Sequence, residues 1–351
     1  MTLPDPLREL LTAHGPSGYE DAPAAVWRRQ AEAFAEVETD TTGSTTARVK
    51  GKGEGPTLAV VGHIDEIGLI VTHIDDDGFL RFAGVGGWDT QILVGQRVVL
   101  TTRDGALPGV IGKKPIHLLK DDERKNVAEL KELHIDIGAR DGDEARRLVR
   151  IGDVAVIAGE PVELPNGRVV SRSMDNRLGC YVAYEAARLV GDAGGAAGDV
   201  VAVAAVQEET TFGGSTTTAY ALRPDLAVVV DVSHATDAPG IDVNELGSHA
   251  LGSGPIVERG SNLNPRVFEL LYDAGEAEGI AFTVAASSRH TGTDADAMHL
   301  SRGGIPCGLI GLPLRYMHSP VEMVDLADID AAARLIAAAA RRLAADASFQ
   351  R

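Results

Sequence analysis

The sequence predicts an α/β protein: a mostly parallel central sheet flanked by helices, with a small β-rich domain inserted. Three observations carry that reading. From residue 167 onward, continuous apolar runs of strand length alternate with helical patterns, as parallel strands joined by crossover helices require. The run TLAVVGH at 57–63 has the same all-apolar texture and belongs to the same sheet. Between the two, short alternating runs are separated by turn residues, which marks an insertion of barrel or sandwich type. The expected division is 1–67 and 167–351 for the α/β domain and 68–166 for the inserted domain.

Each element follows from local chemistry. DPLRELLTAHG predicts a helix capped by Asp5, with Pro6 in its first turn and a stop at Gly15. DAPAAVWRRQAEAFAE predicts a second helix over 21–36. In the insertion, LIVTHI, FLRFAGV, RVVLTT, LPGVIG, HIDIGA and DVAVIAGE read as short strands, broken by DDDG, RDG and NG turns; DGDEARRLV is a helix among them. Asp75, Asp76 and Asp77 form a solvated turn, since a calcium loop needs more ligands at regular spacing. Beyond 167 come a helix in CYVAYEAARLV, a strand in DVVAVAAVQ, a helix in GGSTTTAYALRP and a strand in DLAVVVDV. PRVFELLYDAGEAEG (helix), IAFTVAAS (strand), DADAMHLSRGG (helix), CGLIGLP (strand) and an Ala-rich helix from Asp328 complete the chain.

Composition narrows the function. The chain has 351 residues, enough for two domains, and a net charge of -18. That charge argues against nucleic acid, whose phosphates need clustered Lys and Arg, and favours cationic partners such as metal ions. No apolar stretch reaches the roughly 20 residues that span a bilayer, and MTLPDPLREL has no signal-peptide core, so a cytoplasmic protein with no membrane partner is expected. Cys180 and Cys307 lie in apolar surroundings and read as core residues.

Polar groups interrupt the pattern at one kind of place. In an open α/β sheet, ligands bind beyond the carboxyl ends of the strands. There the sequence puts His63, Asp65 and Glu66; Glu208 and Glu209; Asp231, His234 and Asp237; and, after CGLIGLP, His318. Asp175 precedes a helix and on its own reads as a cap. Together, two imidazoles and three carboxylates suit two divalent ions, with a further carboxylate to take a proton from water. Adjacent Glu208 and Glu209 fit that split of roles if the strand ends or bends there, which Gly213 and Gly214 permit.

The stretches GHIDEIG, GGWDTQILVGQRV, GVIGKKPIHLL, LHIDIGA, SRSMDNRLG, VQEETTFGGS, DVSHATDAPG, GTDADAMHLSRGGIP and RYMHSPVE occur in this order over nearly the whole chain. In them the sequence resembles metallopeptidase family forty-two, the TET-type glutamyl or deblocking aminopeptidases. The resemblance implies a zinc-peptidase-like α/β domain with a PDZ-like inserted domain that makes dimer contacts, and dimers that assemble to a dodecamer. It implies one ion (Zn²⁺ or Co²⁺) on His63, Asp175 and Asp231, and a second on Asp175, Glu209 and His318. Glu208 is then the general base, and Asp65 the catalytic-site acid that orients His63. A cis peptide bond after Asp175 is implied as well, and Glu66 is left with a structural part.

Other residues stay open between roles. His234 and Asp237 line the site or form a hydrogen-bonded loop; Asp294 caps a helix in a loop near the substrate, and Asp296 stands beside it. Trp88 belongs to inserted-domain packing or an oligomer contact. The leading function is a di-metal aminopeptidase acting on short peptides. The alternatives are a related metal amidohydrolase or deacylase and, from another class, a non-catalytic metal-binding assembly protein. A glycosidase needs two carboxyls across the sugar and no metal, and the histidines argue against it.

Overall fold

The computed structural model describes residues 1–350, with only the backbone of Glu123. An eight-stranded sheet forms the centre. Its four inner strands, Val200–Ala205, Leu58–His63, Leu226–His234 and Cys307–Leu314, lie side by side and parallel. They carry continuous apolar runs because both faces are covered. Val60 and Ala202 share one core layer with Leu7, Trp27, Leu178 and Ile329. Ala59 and Val61 point the other way and share a second layer with Ala219, Met298 and Ile305.

The edges of the sheet differ from the expectation. A hairpin, Glu36–Thr39 and Thr45–Val49, adds two antiparallel strands on one side. Its first residue, Glu36, is the last one expected in the second helix, which stops at Ala31. On the other side Ile256–Gly260 runs antiparallel to Cys307–Leu314 and parallel to Thr283–Ser287. Thr283–Ser287 lies in IAFTVAAS, where a strand is expected; the hairpin and Ile256–Gly260 are short and partly exposed, so they lack the apolar run that marked the inner strands. Helix ends also shift. The first helix, Asp5–Thr12, has Pro4 as its N-cap and Asp5 as its first helical residue. The helix expected in DADAMHLSRGG is a single turn, Ala295–Met298. The last helix begins at Leu326, where the Asp325 carboxylate accepts the Ala327 N–H.

The inserted segment closes into a six-stranded barrel in the order Gly68–Ile74, Leu80–Val85, His134–Asp136, Gly105–Gly112, Arg97–Thr102, Val154–Ile157. Closure leaves it no free edge and gives it a separate core, including Leu69, Leu80, Leu100, Ile111 and Ile135. Asp75 lies in a turn at its rim, accepting the Phe79 N–H, and Asp76 pairs with Arg146. After Ile157 the chain forms Val162–Leu164 and Arg168–Ser171, which pair with each other around Asn166 and Gly167, and Arg168–Ser171 pairs on its other side with Glu322–Asp325. That three-stranded sheet belongs with the α/β body, so the return from the barrel begins before residue 166. Cys180 and Cys307 are buried and unpaired.

Candidate active site

The carboxyl edge of the four parallel strands gathers the site. His63 ends its strand in register with Ala205, three residues ahead of Glu208. Asp231 lies in the neighbouring strand opposite Gly311, and His318 follows the end of that strand's partner. Asp175 arrives from a helix, Met174–Asp192, that packs directly on the sheet. A Cβ on Gly62 would lie 2.3 Å from the Gly179 carbonyl carbon, so glycine at 62 lets the helix approach closely enough to set Asp175 beside His63. Asp175 is not a cap: it sits inside the first turn with φ -78° and ψ 105°, and its peptide bond to Asn176 is cis. The Asn176 side chain donates to the Val230 carbonyl at 2.7 Å, tying this turn to the Asp231 strand.

The structure brings the five expected metal-site residues and Glu208 together. Asp175 divides its oxygens: Oδ1 lies 3.1 Å from His63 Nε2, and Oδ2 lies 3.2 Å from His318 Nε2. Asp231 Oδ1 is 3.9 Å and Glu208 Oε2 3.6 Å from His63 Nε2, while Glu209 Oε1 is 3.4 Å from His318 Nε2. Around a tetrahedral ion with bonds of 2.0–2.1 Å, neighbouring donor atoms stand about 3.3 Å apart. The donor set therefore fits divalent ions such as zinc. A buried oxygen supports this: Glu209 Oε1 makes no hydrogen bond of normal geometry, and faces the His318 imidazole at 3.4 Å.

The electrostatics point the same way. Burial pushes the Glu208 carboxyl up to about 10; Asp231, Asp294 and Glu209 add to the rise and His63 opposes it. Burial likewise raises Glu209, and Asp231 well above the ordinary carboxyl range. Asp175 moves the other way, because hydrogen bonds from His318 and His63 outweigh its burial. Burial works against the charge on His63, yet Glu208, Asp175 and Asp65 hold it well above its usual value. His318 rises to about 11 through Asp175 and Glu209. So many buried acids repel one another until positive charge sits among them.

Asp65 does more than face His63. Its Oδ1 is 3.4 Å from His63 Nδ1, and its two oxygens accept the backbone N–H groups of Glu208 and Glu209, each at 3.1 Å. It thereby orients the imidazole and fixes the Glu208–Thr211 turn, which starts after Gln207 in the left-handed region. Glu66 is buried between Arg172 and Arg177 and accepts the Gly15 N–H.

The remaining sequence candidates separate. His234 is exposed at its strand end. Asp237 is held in a loop by Arg315 at 2.6 Å and by the Leu251 N–H. Asp296, in the Ala295–Met298 helix, accepts from Thr291 and Gly292 of the preceding turn and from Asn262. Asp294 stands at the N-cap position of its helix, but its side chain makes no capping hydrogen bond. Its carboxylate is 1% exposed and makes no hydrogen bond of normal geometry, and burial raises it to about 6, with His63 and the nearby Ser215 hydroxyl opposing. Trp88 donates to the Gly68 carbonyl at 2.8 Å and packs on the barrel core; it also lines the cavity beside Asp175, Glu209 and His318. Residues of the barrel therefore reach the site, and Gly86 lies close enough that a Cβ there would be 3.3 Å from Glu209 Oε2.

Sequence reasoning assigned no part to Glu322, Arg172 or Arg177. Glu322 accepts backbone N–H groups from Met174, Asp175 and His318. Arg177 is fully buried and donates to the Ile64 and Leu10 carbonyls. Their only signal was a charged residue inside the stretches RYMHSPVE and SRSMDNRLG.

An α/β sheet whose carboxyl edge gathers two imidazoles and buried acids in this geometry is that of a metal-dependent hydrolase. The profile of the M42 glutamyl aminopeptidase family matches residues 43–335, and the chain belongs to that family. It is 32% identical to the lysyl aminopeptidase of Pyrococcus furiosus over 333 residues, covering 92% of each chain. Its structure is similar to that of the TET aminopeptidase of a marine sediment Thaumarchaeota archaeon, with TM-score 0.92 and 36% identity over 97% of this chain and 96% of that one. The TET1 peptidase of Pyrococcus horikoshii, which can assemble into a tetrahedron or a large octahedral shell, aligns with TM-score 0.85 and 31% identity over 97% and 99%. The protein is thus a metal-dependent aminopeptidase. Among the described residues, no helix is long and apolar enough to cross a membrane.

Proposed function

We propose that the enzyme releases N-terminal residues from short peptides with two divalent ions, zinc or cobalt, and Glu208 as general base. The observation that carries this reading is the division of Asp175 between two histidines, Oδ1 toward His63 and Oδ2 toward His318. His63, Asp175 and Asp231 would hold one ion, and Asp175, Glu209 and His318 the other. When bound, such a pair activates a water and stabilises the charge that its attack on a carbonyl creates.

The chain's own groups do the rest. Glu208 lies 3.6 Å from His63 Nε2, at the edge of the donor cluster, where it takes the proton of the attacking water and passes it to the leaving amine. Asp65 keeps both His63 and the Glu208 backbone in place. The remaining acidity of the pocket favours a substrate with a free, charged N-terminus. For assembly, the barrel is the proposed self-association domain, joining dimers that build to a dodecamer with a restricted entrance.

The test is a panel of aminoacyl chromogenic substrates and short peptides, each with an N-acetylated counterpart, assayed with added zinc or cobalt. Cleavage confined to free N-termini supports the reading. Turnover of the acetylated compounds alone would make the enzyme a deacylase. Elemental analysis of protein supplied with excess metal is expected to find two ions per chain, and saturation at one would remove the second site.

A further inference from the structure

Glu322 takes no part in binding or proton transfer in the reading above, yet it touches the site from below. It opens the strand Glu322–Asp325 and is 2% exposed. Its Oε2 accepts the N–H groups of Met174 at 2.8 Å and Asp175 at 3.2 Å; its Oε1 accepts the N–H of His318 at 2.9 Å. One carboxylate therefore joins the turn that carries Asp175 to the turn that carries His318. Both turns contain non-glycine residues in the left-handed region: Ser173 at φ 58°, Tyr316 at φ 63° and His318 itself at φ 58°. Such conformations persist only where surrounding contacts hold them.

We propose that Glu322 is the positioning residue of the second ion site, holding Asp175 and His318 at ion-binding separation before the ion arrives. The proposal rests on the two-ion reading. The separation it maintains, 3.2 Å between Asp175 Oδ2 and His318 Nε2, is close to the spacing of two donors on one tetrahedral ion. Without the shared carboxylate, the ion itself would have to order two turns, and its affinity would fall by that amount.

The first site depends on Glu322 much less. His63 is held by sheet register against Ala205, and Asp231 lies within a strand. Asp65 already ties His63 to the Glu208 turn, as Glu322 ties Asp175 to the His318 turn. Only Asp175 is common to both sites, and Asn176 gives its turn an independent anchor on the Val230 carbonyl. The expected consequence is selective. A residue that merely stabilises the fold would weaken both ions alike, or neither.

The experiment titrates metal-free full-length protein with Co²⁺, followed by calorimetry and visible absorption. Wild type is expected to show two binding events, and His318→Ala identifies which of them belongs to the second site. Glu322→Gln is expected to weaken that event about 10- to 100-fold, as loss of partners around metal ligands does, while largely retaining the other. Two unchanged events, or two events weakened equally, overturn the proposal. A single event in wild type overturns the two-ion reading instead, and this proposal falls with it. Should Glu322→Gln not fold, amide hydrogen exchange on metal-free wild type decides: protection in peptides spanning 173–176 and 316–319 supports a clamp that precedes the ion, and exchange at the rate of unstructured chain overturns it.

Discussion

Glu208 and Glu209 are neighbours in sequence with opposite prospects. Glu209 turns toward His318, whereas Glu208 lies 3.6 Å from His63, with Asp231 and Asp294 nearby. Glu208→Gln keeps the shape and removes the proton acceptor. Turnover is expected to fall by about 10²- to 10⁴-fold with metal content unchanged, measured as kcat beside elemental analysis. A wild-type rate would move the base elsewhere. Asp175→Asn is the contrasting change. An amide presents one oxygen where the carboxylate offers a second to the other imidazole, so both ions are expected to bind more weakly in a calorimetric titration. Arg177 tests structure rather than chemistry. It is buried on Glu66 at 2.7 Å and reaches the carbonyls of Leu10 and Ile64. Arg177→Met takes one of the two guanidinium partners from Glu66, leaving Arg172 and the Gly15 N–H, and is expected to destabilise the chain at the scale of about 3 to 5 kcal/mol, read as a lowered denaturation midpoint.

The elements divide the labour. The parallel strands place side chains at their ends by register, and the turns that follow aim them. Gln207, Phe212, Tyr316 and His318 all have positive φ in those turns, and Asp65 and Glu322 supply the hydrogen bonds that hold two of them. The barrel joins this body through strands that lie next to each other: Leu69 pairs with Ala155 and Ile70 with Val154. Its two ends are therefore adjacent, and a short linker can replace residues 68–157. Such a deletion is expected to yield a smaller species by light scattering if the barrel carries the self-association contacts. An unchanged assembly would place those contacts on the α/β body. The deletion also removes Gly86 and Trp88 from the wall beside Glu209 and His318, so its activity is not the readout.

For the whole molecule, the exposed apolar residues of the inserted domain bear on assembly. Ile116, Leu118 and Val127 stand out from the barrel at 60%, 67% and 55% exposure. Apolar groups so exposed gain by burial against a second copy. Metal-loaded protein at micromolar concentration is expected to scatter light as an assembly larger than a dimer. A clean monomer would contradict self-association, and a stable dimer would remove the chamber while keeping the interface.

By itself the sequence determined the inner sheet and the residues at its carboxyl edge. A strand covered on both faces must be apolar throughout, so His63, Asp231 and the Glu208–Glu209 pair stand out at the ends of such runs. It also marked the insertion, because alternating short strands have a different period from buried parallel ones. What only the tertiary structure decided are relations between distant segments. Asp175 taken alone reads as a cap and is a bridging ligand only by resemblance; helix packing at Gly62 and Gly179 is what sets it between two histidines. Asp294 reads as a cap, and its carboxylate is instead buried without a capping bond. The edge hairpin lacks a long apolar run because solvent reaches it. Glu322 and Arg177 act on backbone groups up to 167 residues away, and backbone N–H and carbonyl groups are the same at every position, so nothing in the sequence names the partner. The ends of buried strands are written locally in side-chain chemistry; the hydrogen bonds that aim them exist only once the chain has folded.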